Sequence, residues 1–474
     1  MTSTTSEPPK LQPSSYIPLM FALLTAVFAF QLNASMLSPA LATMEDELSA
    51  TTAQIGLTQT AFFTAAALFS LFLPRWGDLI GRRKVLVGMM AVAALGCVAS
   101  AVAPNVAVLL IGRIIQGVAG PTVPLCLIML RQQVLNEKQY ALLLGIVTSV
   151  NGGIAGVDAL AGGWLAGNFG YRSVFWTMAV LCAIAVVAVQ VFTKESTAPE
   201  TPRMDWAGVL PLAVALGCVL TAFNEAGKLA EANWFLVIIL LLIGAAGFWA
   251  FWNVEKKVAD PLVPVAYLKQ RRTWALLSTT LLTMTGVFAV MNGLIPNLGQ
   301  DTDAGAGISA STISWVTLTP YALAGLVFGP IAGWMASKLG YKYVLQTGLI
   351  GTVVGLIFSI FVVSAPNAWT LLFVSIFLGV TYAGIANIML NGLCIVLSPA
   401  DNQGYLPGMN AGAFNLGAGL SFAVLFAVSG SFEHGYRAGM IAGVVILLAA
   451  LALSFLIPRP ESIDDTVAAV NARK

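Results

Sequence analysis

The amino-acid sequence predicts an all-α membrane protein: two six-helix bundles with a two-helix insert, 14 transmembrane helices, and both termini cytoplasmic. Three observations carry that prediction: a composition suited to lipid, a one-sided charge pattern in the loops, and an internal repeat in register. Of 474 residues, 58% are hydrophobic and only 9% are charged, against about 25% charged in a soluble domain. Too little polarity is left to cover a water-facing surface. A spanning helix needs about 20 mostly apolar residues, so the chain has room for twelve to fourteen of them. The net charge of +2 is small and its basic residues are scattered, so no nucleic-acid partner is expected. Cys97, Cys126, Cys182, Cys218 and Cys394 fall inside apolar runs without metal-ligand spacing. They read as small buried hydrophobes, with neither disulfide nor metal.

Apolar runs place the spans near 16–41, 53–74, 85–103, 106–130, 140–166, 173–193, 206–226, 234–254, 273–296, 309–336, 343–364, 368–397, 403–430 and 437–457. The first fifteen residues lack the features of a cleaved signal peptide, so the first span is expected to act as an uncleaved signal. Loop charge tests the count. With the N-terminus inside, every Lys and Arg except Arg113, Arg172, Lys228 and Arg437 falls in the cytoplasm. That asymmetry obeys the positive-inside rule. Outside loops carry acids instead: Glu45, Asp46, Glu47, Glu231, Asp301, Asp303 and Glu433. Dropping one helix would reverse every later loop and destroy the split. The expected location is the cell inner (cytoplasmic) membrane, with lipid as the surrounding partner.

The repeat fixes the organisation. Gly77–Lys84 after the second span is echoed by Gly333–Lys342 after the tenth, and Gly170-Tyr171-Arg172 by Gly435-Tyr436-Arg437. Both pairs occupy equivalent places in two six-helix units. The expected domains are a cytoplasmic tail (1–15), an N-terminal bundle (16–193), a linker with a helical hairpin (194–272), a C-terminal bundle (273–457) and a second tail (458–474).

These motifs resemble the major facilitator superfamily, and in helix count its 14-helix drug:proton antiporter branch. Pro74–Lys84 is similar to the first family signature, Gly-x-Leu-x-Asp-x-x-Gly-Arg-Arg/Lys, with Pro74 at the usual Gly. Asp78, Gly81, Arg82 and Arg83 are thereby assigned to gating: Asp78 can pair with Arg82 while touching the opposite bundle, a latch that remakes as the bundles rock. The later copy has Ser337 at the acid's place. Arg113-Ile114-Ile115-Gln116-Gly117 resembles the second signature, Arg-x-x-Gln-Gly, which the family links to proton coupling. An Arg within a span is costly and should face a cavity or a partner; Gln116 lies one turn away on the same face.

Two departures point to a relocated acid. The third, antiporter-associated signature ends Gly-Pro-x-x-Gly-Gly, whereas this chain reads Gly156-Val157-Asp158-Ala159-Leu160-Ala161-Gly162-Gly163. At the end of the first span, Asn33 stands where the branch usually carries an acid. Asp158 is therefore the expected coupling carboxylate, exchanging its proton as its pairing with Arg113 is made or broken. Bonding of Asp158 to Asn151 or to a helix end is the structural alternative. Asn33, Gln59, Gln116, Asn151, Asn292, Tyr321, Tyr382, Asn387 and Asn391 are the expected cavity residues, forming a weakly charged, amide-rich lining. His434, the single histidine, sits in an outside loop, so no histidine relay is available.

No phosphate-binding loop, nucleophile elbow or metal cluster is present in the sequence. Neither a cofactor nor enzymatic activity is expected, and the proton gradient is the expected energy source. The leading reading is a proton antiporter exporting small organic or drug-like compounds by alternating access, acting as a monomer. The alternative is a proton symporter importing an organic solute, and a non-transporting receptor on the same fold is a minor third reading.

Overall fold

The structure, a computed structural model, describes residues 16–134, isolated positions within 139–150, and 156–196, 205–226, 232–258, 261, 265–398, 405–432 and 435–459. Among the described residues there are helices and no strands. Thirteen helices among the described residues are long and apolar enough to cross a membrane. In chain order the spans are α1 (Ile17–Leu48), α2 (Thr52–Ile80), α3 (Arg82–Ala101), α4 (Val106–Gln133), α5 (Val157–Phe169), α6 (Tyr171–Phe192), α7 (Trp206–Ala226), α8 (Trp234–Glu255), α9 (Arg271–Gln300), α10 (Ala310–Ala336), α11 (Tyr341–Val362), α12 (Ala368–Val396), α13 (Leu406–Gly430) and α14 (Gly435–Ser454). α5, of 13 residues, overlaps the expected fifth span, 140–166, much of which lies outside the described residues. Asn151 lies outside the described residues. A closed ladder of backbone hydrogen bonds explains why helices are used throughout, since lipid offers no partner for a free amide.

The two bundles repeat one packing plan. α6 lies against α1 and α3, and α3 against α4; correspondingly α14 lies against α9 and α11, and α11 against α12. Local chemistry repeats as well. Ala103-Pro104-Asn105 before α4 recurs as Ala365-Pro366-Asn367 before α12. Both asparagines cap their helix, Asn105 accepting from Val108 N and Asn367 from Thr370 N. Arg172 donates to Ala103 O (3.0 Å), and its repeat partner Arg437 to Ser364 Oγ in the equivalent loop. The insert α7–α8 covers the seam between the bundles: Leu212, Leu216 and Phe251 pack with Leu71 of α2 and with Met409 and Leu416 of α13.

The bundles meet along two further lines. α2 runs beside α13, with Thr60 Oγ1 donating to Gly419 O (3.1 Å) and Phe63 stacked on Phe422. α5 meets α10 through the glycine pair of the third signature. Gly162 presses on the Met36 carbonyl of α1, and Gly163 faces Ala310 and Ser314 of the other bundle. Small residues let helix backbones approach this closely. Gly162→Ala would drive a methyl into that carbonyl. We expect a loss of about 1–3 kcal/mol, read as a lower thermal midpoint in detergent; an unchanged midpoint would show that α1 can yield.

Candidate functional site

Arg113 is wholly buried at the centre of the N-terminal bundle. Its Nη1 donates to Gln116 Oε1 (2.6 Å) and to Asn33 O (3.2 Å), and its Nη2 to Gln59 Oε1 (2.8 Å). Its guanidinium lies 4.2 Å from the centroid of the Phe62 ring, a cation–π contact that is strongest where water is excluded. Gln116 is held by donating to Gly96 O and Ser100 Oγ. Asn33 donates to Ala29 O and accepts from Cys97 Sγ. Asn33 and Gln116 thus face the bundle interior, and their role here is to hold Arg113. Gln59 comes from α2, and its Nε2 has no partner among the described residues.

Asp158 does not pair with Arg113. Its Oδ2 accepts a hydrogen bond from Ser35 Oγ, midway along α1, and its Oδ1 is buried without a partner among the described residues. The two groups flank this part of α1: Arg113 holds the Asn33 carbonyl, and Asp158 the Ser35 hydroxyl two residues on. The two Nη atoms of Arg113 are engaged by three neutral acceptors instead. Ser35 Oγ also lies 3.0 Å from Gln31 O and accepts from Gln31 Nε2 at 3.1 Å. One hydroxyl proton cannot serve both Gln31 O and Asp158. An ionised Asp158 takes that proton; a protonated Asp158 donates to Ser35, whose proton then turns to Gln31. The arrangement therefore has two internally consistent hydrogen-bond states that differ by one proton.

The segment around Asp158 also clasps the opposite bundle. Ser314 Oγ of α10 donates to Ala159 O (2.8 Å), and Thr319 Oγ1 donates to Gly156 O (2.7 Å). Further out, Asn297 Nδ2 of α9 donates to Glu45 Oε1 (2.9 Å), while Thr52 Oγ1 donates to Glu45 Oε2 (2.9 Å). These contacts join the outer halves of the bundles. Asn297→Ala removes the outermost of them, and is expected to enlarge the outward-open population. Spin labels on α2 and α9 near the outer surface should report longer distances; an unshifted distance distribution would mean that Glu45 and Asn297 do not hold the closure.

At the inner surface, Asp78 Oδ1 accepts from Arg82 Nε (2.7 Å) and forms an ion pair with its Nη2 (2.6 Å). Among the described residues the loop is fastened to the segment just past α6: Arg82 N donates to Ser196 O and Arg83 N to Glu195 Oε1. Arg82, Arg83 and Lys84 begin α3, where cations oppose the helix dipole, and the Glu195 carboxylate compensates them. Gly81 adopts φ +116°, and any side chain there would collide with that carboxylate. Outside, Gly170 (φ +77°) and Glu47 repeat the device at α6, where Tyr171 N donates to Glu47 Oε1. Glu195 was not anticipated from sequence; a lone acid just after a span, opposite a basic loop, is the signal that could have found it.

In the C-terminal bundle, helical segments of wider pitch interrupt α9 at Val290–Leu294, α12 at Gly379–Ala386 and α13 at Phe422–Phe426. Such turns gather at functional sites. Asn292 lies in the first and donates to Phe288 O. Tyr382 lies in the second, donates to Met284 Sδ and stacks on Tyr321 (6.5 Å between centroids). Phe422 lies in the third, in an aromatic group with Phe63, Phe288 and Phe414. Asn387 and Asn391 share one face of α12; Asn391 is exposed and Asn387 half-buried.

Two pseudo-equivalent bundles, clasped at one end around buried groups with spare hydrogen-bonding capacity, define a multi-pass carrier of the cytoplasmic membrane. The sequence profile described as the Major Facilitator Superfamily matches residues 23–301 and 276–472, and the chain belongs to that family of transporters. It is 58% identical over 455 residues to the uridine/deoxyuridine transporter of Lactococcus lactis subsp. cremoris (strain MG1363), covering 94% of this chain and 95% of that one. Multidrug resistance protein Stp of Mycobacterium tuberculosis is 25% identical over 81% of this chain and 69% of its own. Among solved structures, an auto-inhibited POT family peptide transporter superposes with a TM-score of 0.65, at 15% identity over 94% of this chain and 98% of that one. A point mutant of the nucleoside transporter NupG does so at 0.60, also at 15% identity, over 93% and 98%. These superpositions attest the fold.

Proposed function

We propose that this chain imports pyrimidine nucleosides of the uridine type together with protons. The observation that carries the substrate class is the 58% identity, across nearly the whole of both chains, to the uridine/deoxyuridine transporter. Drug export, the leading expectation from sequence, rests on relatives near 25% identity and yields to the alternative of solute import. A nucleoside is neutral, with a flat ring and many hydrogen-bonding atoms. Amides and aromatic rings suit it better than a buried charge would. Proton coupling is assigned to Asp158, whose two hydrogen-bond states differ by one proton and whose neighbours Gly156 and Ala159 hold the outer clasp. Arg113 supplies fixed positive charge on the other side of α1. Asp78, Gly81, Arg82 and Arg83 are assigned to the inner gate, and the transporter works as a monomer.

The test is uptake of tritiated uridine by cells that lack their own nucleoside carriers. Accumulation that competes with deoxyuridine and collapses with a protonophore is expected. Absence of uptake, or accumulation that increases with the protonophore, would overturn import and favour export.

A further inference from the structure

The amides of the C-terminal bundle form a directed chain. Thr280 Oγ1 of α9 donates to Asn410 Oδ1 of α13 (2.7 Å), and Asn410 Nδ2 donates to Asn391 Oδ1 of α12 (3.4 Å). Asn391 Nδ2 in turn donates to Asn387 O (2.9 Å) and to Asn387 Oδ1 (3.3 Å). Each amide oxygen therefore already accepts from the donor before it, and chains of this kind polarise one another. The chain ends at Asn387 Nδ2, which carries two N–H donors. No partner within the described residues takes it. Asn387 is half-buried, on the same helix face as the exposed Asn391. Five residues before it, Tyr382 begins the Tyr321–Tyr382 stack.

A site that ends in donors demands an acceptor from its ligand. On a pyrimidine base the 4-position decides this: the 4-oxo group of uracil or thymine accepts, whereas the 4-amino group of cytosine donates. We infer that Asn387 is a specificity-determining residue whose amide donates to the 4-oxo oxygen of the base, with Asn391, Asn410 and Thr280 fixing its orientation. This rests on the nucleoside reading above. A site built to hydrogen-bond a substrate group discriminates strongly against an analogue lacking it, because its own polar atoms are left unpaired. An N–H facing another N–H is a repulsive element of the same kind.

The experiment is competition against tritiated uridine uptake in whole cells, using cytidine and the pyrimidin-2-one ribonucleoside, which lacks the 4-substituent. Wild type should prefer uridine over both by about tenfold or more. Asn387→Asp, which replaces donors by acceptors, should narrow or reverse the uridine:cytidine preference, and Asn387→Gln should retain it. A merely structural Asn387 would lower uptake of every nucleoside alike, leaving the ratios unchanged, and that result overturns the assignment. Should Asn387→Asp fail to reach the membrane, the wild-type series decides: equal competition by the pyrimidin-2-one ribonucleoside overturns it. Absence of uridine uptake by wild type removes the nucleoside reading, and this assignment with it, before any variant is made.

Discussion

Asp158→Asn is expected to abolish proton-driven accumulation of substrate while preserving exchange of labelled for unlabelled substrate across the membrane. The asparagine has nearly the same shape and still offers Ser35 a hydrogen-bonding oxygen, so the junction between α1 and α5 should stand. What it cannot do is gain or lose a proton. The variant therefore carries no titratable group at this position, and its uptake becomes insensitive to outside pH. Wild-type uptake should rise as outside pH falls, because a symported proton then adds to the driving force. Initial rates measured between pH 5.5 and 8 on both proteins, at matched membrane levels, make the comparison. A variant with wild-type accumulation and wild-type pH dependence would return Asp158 to a structural role at the clasp with α10.

The second large effect concerns Arg113. Its guanidinium serves three acceptors from two nitrogens, and an ammonium on a flexible stem cannot reproduce that fork. In Arg113→Lys the charge is kept but at least one of Gln59 Oε1, Gln116 Oε1 and Asn33 O loses its donor. A buried acceptor left unpaired costs about 1–3 kcal/mol. If that cost falls on one conformation of the cycle, the transport rate drops by about tenfold for each 1.4 kcal/mol. The expected result is a loss of about tenfold or more in maximal uptake rate, with protein still present in the membrane. Replacing Arg113 by Leu should be worse, since all three acceptors are orphaned, although removing the buried charge returns part of its desolvation cost. Unimpaired uptake by Arg113→Lys would mean that only the charge matters.

The fold was legible because lipid imposes few alternatives. Runs of apolar residues gave the helices, and loop charge gave their direction. The in-register echo of Gly81 and Gly340, both with positive φ in the structure, gave the two bundles. The sequence also singles out Arg113 with Gln116, and the glycine pair of α5. The orientation of individual polar side chains was not legible. In a helix apolar on all sides there is no stripe to show which face meets a neighbour, so the contact of Asn33 with Arg113 could not be read from spacing. Contacts between distant helices were equally hidden: Ser35 with Asp158, Glu45 with Asn297, and Glu195 with the start of α3 join residues far apart in the chain. Direction of transport was not legible either, because helix number and signatures are shared by carriers that move solutes either way.

The most direct test of proton-driven nucleoside import is uptake by the purified protein in proteoliposomes under an imposed proton gradient, acidic outside. Internal tritiated uridine should rise above its external concentration and fall back to equilibrium when a protonophore is added. Uridine that merely equilibrates, indifferent to the gradient, would contradict the coupling assigned to Asp158. Uridine that is driven out of the vesicles as protons enter would contradict import itself.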